Sequence, residues 1–242
     1  MLAVLSDIHG NFQALEAVWE DLQARGADEV LTLGDNVGYG PQPDEVVAFL
    51  RERGVSSCLG NHEQGLADPA EASVRFNPHA LEALEVTRSL LSPDSLAWSV
   101  DLPRAIVRHG VRFVHGAPPD SVNAYLFQEL HKGKLAGRMR RMEENLCFAG
   151  HTHELRRYSL EGDEVVKTRL EPGWLRIDPG VKTILNVGAV GQPRDGDPRA
   201  KYVLWDRGER AEVRRVPYDV ELTARLIPEA GLPERYARRL WG

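Results

Sequence analysis

The chain has 242 residues, 42% of them hydrophobic and 27% charged, with a formal net charge of −6. That length supports a large hydrophobic core, and the acidic balance excludes a broad basic face for nucleic acid while leaving nucleotides open. The two cysteines, Cys58 and Cys147, lie in apolar runs and read as reduced, buried small side chains rather than a disulfide framework.

Leu2 to Leu5 reads as a buried strand, with no basic and apolar leader before it. Phe12, Leu15, Val18, Trp19 and Leu22 then fall at helical spacing, and Gly26 closes that helix. Glu29 to Leu33 is the next strand, followed by a helix that starts at Pro43 and ends at Gly54. Val55 to Leu59 is a third strand, so the first sixty residues predict parallel strands joined by helical crossovers. Residues 62 to about 102 carry helical signals only, with Asn77-Pro78 and Ser92-Pro93 as start signals. We expect a helical insertion, or cap, over about residues 64–102 of a single 1–242 domain.

Strands resume at Ala105 to Val107 and Val111 to His115, then a helical region spans Ser121 to Met142 before a strand at Leu146 to Ala149. The remainder predicts antiparallel hairpins around Glu161-Gly162-Asp163 and Asp206-Arg207-Gly208, and a tail of two short surface helices from Asp219. The basic run Arg138 to Arg141 reads as a solvated helix face. No stretch approaches the ~18 apolar residues of a membrane span. A cytoplasmic location with no membrane partner is the expectation.

Five polar clusters follow predicted strands: Asp7-Ile8-His9-Gly10-Asn11, Gly34-Asp35-Asn36, Gly60-Asn61-His62-Glu63, His115-Gly116 and Gly150-His151-Thr152-His153. Ligands of open α/β sheets bind beyond the carboxyl ends of the strands, where all five lie. Carboxylate, amide and imidazole together suit manganese, iron, zinc, cobalt or nickel better than calcium. Taken singly these signals are weak: Asp7 could be a helix cap, and a histidine at a strand end is commonly structural. Five of the eight histidines nevertheless fall within four of the clusters, which argues for one shared site.

In this order the five motifs resemble the signature of the calcineurin-like metallophosphoesterases, over residues 2 to about 206. The resemblance implies a four-layer αββα sandwich with two mixed β-sheets, and hydrolysis of phosphate esters by a bridging hydroxide held between two divalent ions. One ion would be held by Asp7, His9, Asp35 and His153, and the other by Asp35, Asn61, His115 and His151. Asp35 would bridge the pair, and His62 matches the catalytic histidine. Two such ions about 3.5–4 Å apart activate water and neutralise phosphoryl charge, manganese among the metals that serve.

The serine/threonine protein phosphatases of this family carry Asp-Arg-Gly after the bridging aspartate, where this chain has Gly38-Tyr39-Gly40. The form Gly34-Asp35-Asn36-Val37-Gly38-Tyr39-Gly40-Pro41 resembles small bacterial and archaeal phosphodiesterase-type members instead. Asn186 to Asp195 is similar to the same subgroup. Arg194 is thereby a phosphate-contact candidate, with Asn11 of the first motif as a second, and a Gly/Pro-rich packing turn is the alternative reading.

Phe76, Asn77 and His79 are substrate-facing candidates in the cap, which could roof the site, cover a sheet face or form a dimer surface. The implied partner is a small phosphate ester, with dinucleoside polyphosphates and cyclic nucleotides equally open, nucleic acid disfavoured and homo-oligomerisation undecided. The competing class is a non-catalytic interaction scaffold of the same fold, but every ligand position and His62 are intact here.

Overall fold

The computed structural model describes residues 1–241. Strand β1 (Leu2–Leu5), helix α1 (Phe12–Ala24), β2 (Glu29–Thr32), α2 (Pro43–Glu52) and the two-residue β3 (Ser56–Ser57) open the chain. Four helices follow: α3 (Asn61–Ala67), α4 (Pro69–Arg75), α5 (Pro78–Leu90) and α6 (Pro93–Val100). Next come β4 (Ala105–Arg108), β5 (Val111–Val114), α7 (Leu126–His131), α8 (Leu135–Arg140), β6 (Leu146–Ala149), β7 (Leu155–Glu161) and β8 (Glu164–Arg169). The chain then forms β9 (Gly173–Arg176), β10 (Thr183–Val187), β11 (Ala200–Trp205), β12 (Arg210–Val216), α9 (Val220–Glu229) and α10 (Glu234–Arg239).

The strands form two six-stranded mixed sheets, ordered β3-β2-β1-β11-β12-β9 and β4-β5-β6-β10-β7-β8. In the first, β1, β2 and β3 are parallel; in the second, β5, β6 and β10 are. The twofold alternation of β1 explains the layering. Leu2 and Val4 point between the sheets onto a core shared with Phe113, Phe148, Leu185 and Val187. Ala3 and Leu5 point outward onto Leu15, Val18 and Leu22 of α1. Leu126, Leu135 and Met139 of α7 and α8 cover the far face of the second sheet. The result is the expected αββα sandwich, each buried aliphatic side chain contributing about 1.5–3 kcal/mol.

Local chemistry sets the helix starts. Asn11 caps α1 by accepting from the Ala14 amide at 3.1 Å, and Asn77 caps α5 by accepting from Ala80 at 3.0 Å, with Pro78 at its first turn. Because Asn11 is the cap, Asp7 is not one.

The structure departs from expectation in four places. The third strand is shorter than Val55 to Leu59, because after the Cys58 amide bonds Thr32 the Leu59 amide turns away to Pro103. The Ser121 to Met142 region is two helices parted at Gly133 (φ +67°). Strand β9 carried no legible signal; it is a half-exposed edge paired with β12. The tail helices are not simply surface elements: Ile227, Leu232, Tyr236 and Leu240 are buried against Ala83 of α5. No helix among the described residues is long and apolar enough to cross a membrane.

Candidate metal centre and its cleft

The parallel strands β1, β2, β5 and β6 all release the chain at one end of the sandwich, and backbone bonds knit the emerging loops together. His9 donates its amide to the Asp35 carbonyl at 2.9 Å and Gly10 to Asn36 at 2.8 Å, while the Gly150 amide bonds the His115 carbonyl at 2.8 Å. The loop after β10 joins them, with the Val190 and Gly191 amides on the carbonyls of Ser6 and Asp7, both at 2.9 Å. A Cβ on Gly191 would sit 1.7 Å from the Ile8 carbonyl oxygen, so only glycine permits that approach.

These loops are held in costly geometry. Of eight non-glycine residues with positive φ, five are Asp7, His9, Asp35, His151 and His153, at φ between 50° and 68°. Each such residue costs of order 1–3 kcal/mol and persists only where its surroundings dictate it.

Two groups of ligand atoms face one another around Asp35. Nε2 of His9 lies 3.2 Å from Nε2 of His153 and 3.8 Å from both Asp7 Oδ1 and Asp35 Oδ2. His115 Nε2 lies 3.1 Å from Asn61 Oδ1, 3.1 Å from His151 Nδ1 and 3.3 Å from Asp35 Oδ2. The Asp35 Oδ2 atom thus stands between the groups, while its Oδ1 accepts the His62 amide at 2.9 Å. All of these side chains are buried.

The donor chemistry fits divalent transition metals. On the far side of each ring, His9 Nδ1 donates to the Val37 carbonyl at 3.1 Å, His115 Nδ1 to Leu33 at 3.1 Å and His153 Nδ1 to Gln192. A carbonyl only accepts, so those Nδ1 atoms carry the proton and each Nε2 presents a lone pair inward. His151 joins the second group through Nδ1, and buried Asp7 Oδ1 has no hydrogen-bond partner. Converging lone pairs of this kind are stable only with a proton or a cation between them.

Electrostatics follow from burial. Burial presses His62 down to about 4 and His151 down to about 3, leaving both imidazoles neutral. At His115 burial works the same way, but the Asp35 carboxylate overrides it and lifts the ring to about 9, so without a cation its inward Nε2 holds a proton that a metal ion would replace. Burial would raise the Asp35 carboxyl, yet His115 and His62 hold it well below the usual range. Glu63 is pushed up to about 7 by burial and then by Asp35. Its carboxylate accepts from the amides of Asp35, Asn36 and Gly60 at 2.9, 2.7 and 3.1 Å, fixing the Asp35 loop from behind.

His62 sits at the floor of a cleft of about 600 Å³ lined also by Asp35, Asn61, His151 and His153. Its ring centroid is 4.4 Å from Tyr39, 4.9 Å from His9 and 5.2 Å from Phe76, and its buried Nδ1 has no partner. Gly38 (φ +89°) makes room for it, since a Cβ there would meet His62 Nδ1 at 2.2 Å.

Among the expected substrate contacts, Arg194, Phe76 and Asn77 line the cleft. Asn11 does not: its Oδ1 caps α1 and its amide donates to the Gly191 carbonyl at 2.9 Å, so both ends are spent on structure. His79 is exposed at the start of α5, with its carbonyl accepting from Tyr236. The basic run Arg138 to Arg141 spans the end of α8 and its C-cap, outside the cleft lining, with Arg138 bonded to Glu129 and the Pro118 carbonyl. Sequence reasoning missed Tyr39, Tyr125, Arg75, Arg238 and Arg239, which also line the cleft. Of these only Tyr39, flanked by two glycines, offered a signal.

A layered sandwich that gathers aspartates and histidines at the ends of its parallel strands defines a metal-dependent phosphoesterase. Residues 1–209 match the calcineurin-like phosphoesterase superfamily domain, and the chain belongs to that family. An uncharacterized protein of Methanocaldococcus jannaschii is 33% identical, the match spanning 100% of this chain and 97% of that one. A metallophosphoesterase from Sphaerobacter thermophilus superposes with a TM-score of 0.84 at 33% identity, over 99% of this chain and 98% of its own. A hypothetical protein from Pyrococcus horikoshii shares the fold at 22% identity with a TM-score of 0.77, over 100% and 99% of the two chains.

Proposed function

We propose that the chain hydrolyses small phosphate esters, diesters ahead of monoesters, at a dinuclear metal centre. The observation that carries this reading is the position of Asp35 Oδ2, within 3.3 Å of His115 Nε2 and 3.8 Å of His9 Nε2, between two otherwise separate ligand groups. Asp7, His9 and His153 would complete one site, and Asn61, His115 and His151 the other. Manganese, iron, zinc, nickel and cobalt all suit this nitrogen and oxygen set. Two bound ions would supply a nucleophile at neutral pH and neutralise charge on the phosphoryl oxygens.

The chain's own residues do the rest. Carbonyls behind His9, His115 and His153 fix the tautomer and aim of each ring. Glu63 holds the Asp35 and Asn36 amides so that the bridging carboxylate cannot swing. His62, packed by Tyr39 and Phe76, donates an N–H to the leaving or phosphoryl oxygen. Arg194 at the cleft wall takes a non-reacting phosphoryl oxygen.

The test is to strip metals with a chelator, restore them singly, and follow bis-p-nitrophenyl phosphate beside p-nitrophenyl phosphate. Metal-restored cleavage that is faster on the diester and lost in Asp35→Asn supports the reading. Two ions bound per chain with no cleavage under any metal overturns it in favour of a scaffold.

A further inference from the structure

Four arginines, Arg75, Arg194, Arg238 and Arg239, line the metal cleft, against one carboxylate, Asp35, among its described lining residues. They come from three separate parts of the chain: the end of α4, the loop after β10, and the end of α10. In a protein of net charge −6 this local excess is not a sample of the average surface. A single phosphoryl group at the metals does not need it, because the metals and one arginine already balance that group's charge.

The guanidinium groups are also available. Arg75 and Arg238 pair with Glu71 and Glu234 one helical turn away, at 2.6 and 3.0 Å, exposed contacts that water readily replaces. Arg194 Nη2 bonds the neutral Gln192 amide oxygen at 3.1 Å, and its side chain has no carboxylate partner among the described residues. Arg239 stands over the Tyr236 ring at 5.4 Å and has no carboxylate partner among the described residues. Arginine is the side chain suited to bidentate phosphate contacts, and grouped arginines read adjacent phosphates.

We propose that the substrates of this cleft carry further phosphates in anhydride linkage to the reacting one, a polyphosphate chain that the four arginines hold. The inference rests on the hydrolase reading above. It assigns substrate selection to α4 and α10, the second of which lies beyond the 1–209 segment matched to the family domain. The floor handles the reacting phosphoryl group and the arginine wall recognises what is attached to it. Inorganic polyphosphates and nucleoside polyphosphates share this chemistry; both are anionic chains of the same spacing.

The test uses the metal-loaded protein with metal in excess over every phosphate added. Inhibition constants against bis-p-nitrophenyl phosphate are measured for inorganic tripolyphosphate, orthophosphate, ATP and an oligothymidylate. Tripolyphosphate is expected to inhibit at least tenfold more tightly than orthophosphate. In the Arg238→Ala/Arg239→Ala variant that ratio falls at least fivefold, whatever happens to turnover. Should that variant fail to fold, Arg75→Ala on the cap side is expected to reduce the same ratio at least threefold. A native ratio under tenfold, a ratio that holds in the variants, or tighter inhibition by oligothymidylate than by tripolyphosphate would overturn the proposal. ATP binding more tightly than tripolyphosphate identifies nucleotides as the source, and the reverse identifies inorganic chains; both support it. If bis-p-nitrophenyl phosphate is not cleaved with any metal, the hydrolase reading fails separately, and calorimetric titration of tripolyphosphate and orthophosphate yields the same ratio.

Discussion

The floor and the wall of the cleft are built on opposite principles. Floor residues leave the ends of short buried strands, five of them in strained left-handed backbone, with His9 and His115 held from behind by carbonyls and the Asp35 loop by Glu63. Wall residues sit on α4, α10 and the loop after β10, mostly exposed, paired with near neighbours or with none. Rigid, dry surroundings make small electrostatic differences large and so suit bond cleavage. A wet wall of long cations tolerates change, and can alter what is bound without disturbing the chemistry.

The largest effect should come from breaking the floor at its centre. Asp35→Asn removes the shared carboxylate, and kcat/KM on bis-p-nitrophenyl phosphate should fall at least about a thousandfold. Metal content measured by atomic emission should fall with it.

His62→Ala should lower turnover about 10²–10⁴-fold with metal content retained. Gly38→Ala should reproduce much of that loss with the imidazole still present, because the new methyl would collide with His62 Nδ1. Full activity in Gly38→Ala would show that the histidine's present position is not the productive one.

Below these lies the support of the wall. Lys201 is fully buried on β11 and donates to Asp195 at 2.6 Å and to the Asp197 carbonyl, tying down the loop that carries Arg194. Lys201→Ala would strand the buried Asp195 and should cost about 3 kcal/mol in urea unfolding.

The smallest effect lies far from the cleft. Glu29 is held down to about 2: partial burial opposes this, but Arg207, His109 and Arg108 outweigh it. A depressed carboxyl stabilises the fold above its ordinary value of 4.5, and that contribution fades as pH falls from there toward about 2. Glu29→Gln should therefore flatten the acid side of the stability profile, by under about 1 kcal/mol since the ion pairs are half exposed.

The floor was legible because its parts are local. A strand, a glycine and a polar residue fall together in the sequence, and five such clusters in order specify one site. The wall was not, because Arg238 and Arg239 sit on a helix whose sequence looks like any amphipathic tail. Only the packing of Tyr236 and Leu240 beneath α5 brings it to the cleft. Asn11 failed for a related reason: a motif position shows that a residue matters, not whether it serves ligand or backbone, and here the Gly191 carbonyl claims its amide. Strand β9 escaped notice because an edge strand with one half-buried face leaves a faint alternation.

Strand β1 lies between β2 and β11, and the loop that follows it is gripped by Gly191. During synthesis the first aspartate and histidine of the motif emerge with β1, but their sheet neighbour β11 is about two hundred residues behind. A ribosome-bound chain shorter than Trp205 therefore lacks the strand that pairs with Leu2, Ala3 and Val4. The candidate metal site is thus completed only when the segment from Val190 to Trp205 has been made. A truncated product would expose isolated histidines rather than a half-active enzyme.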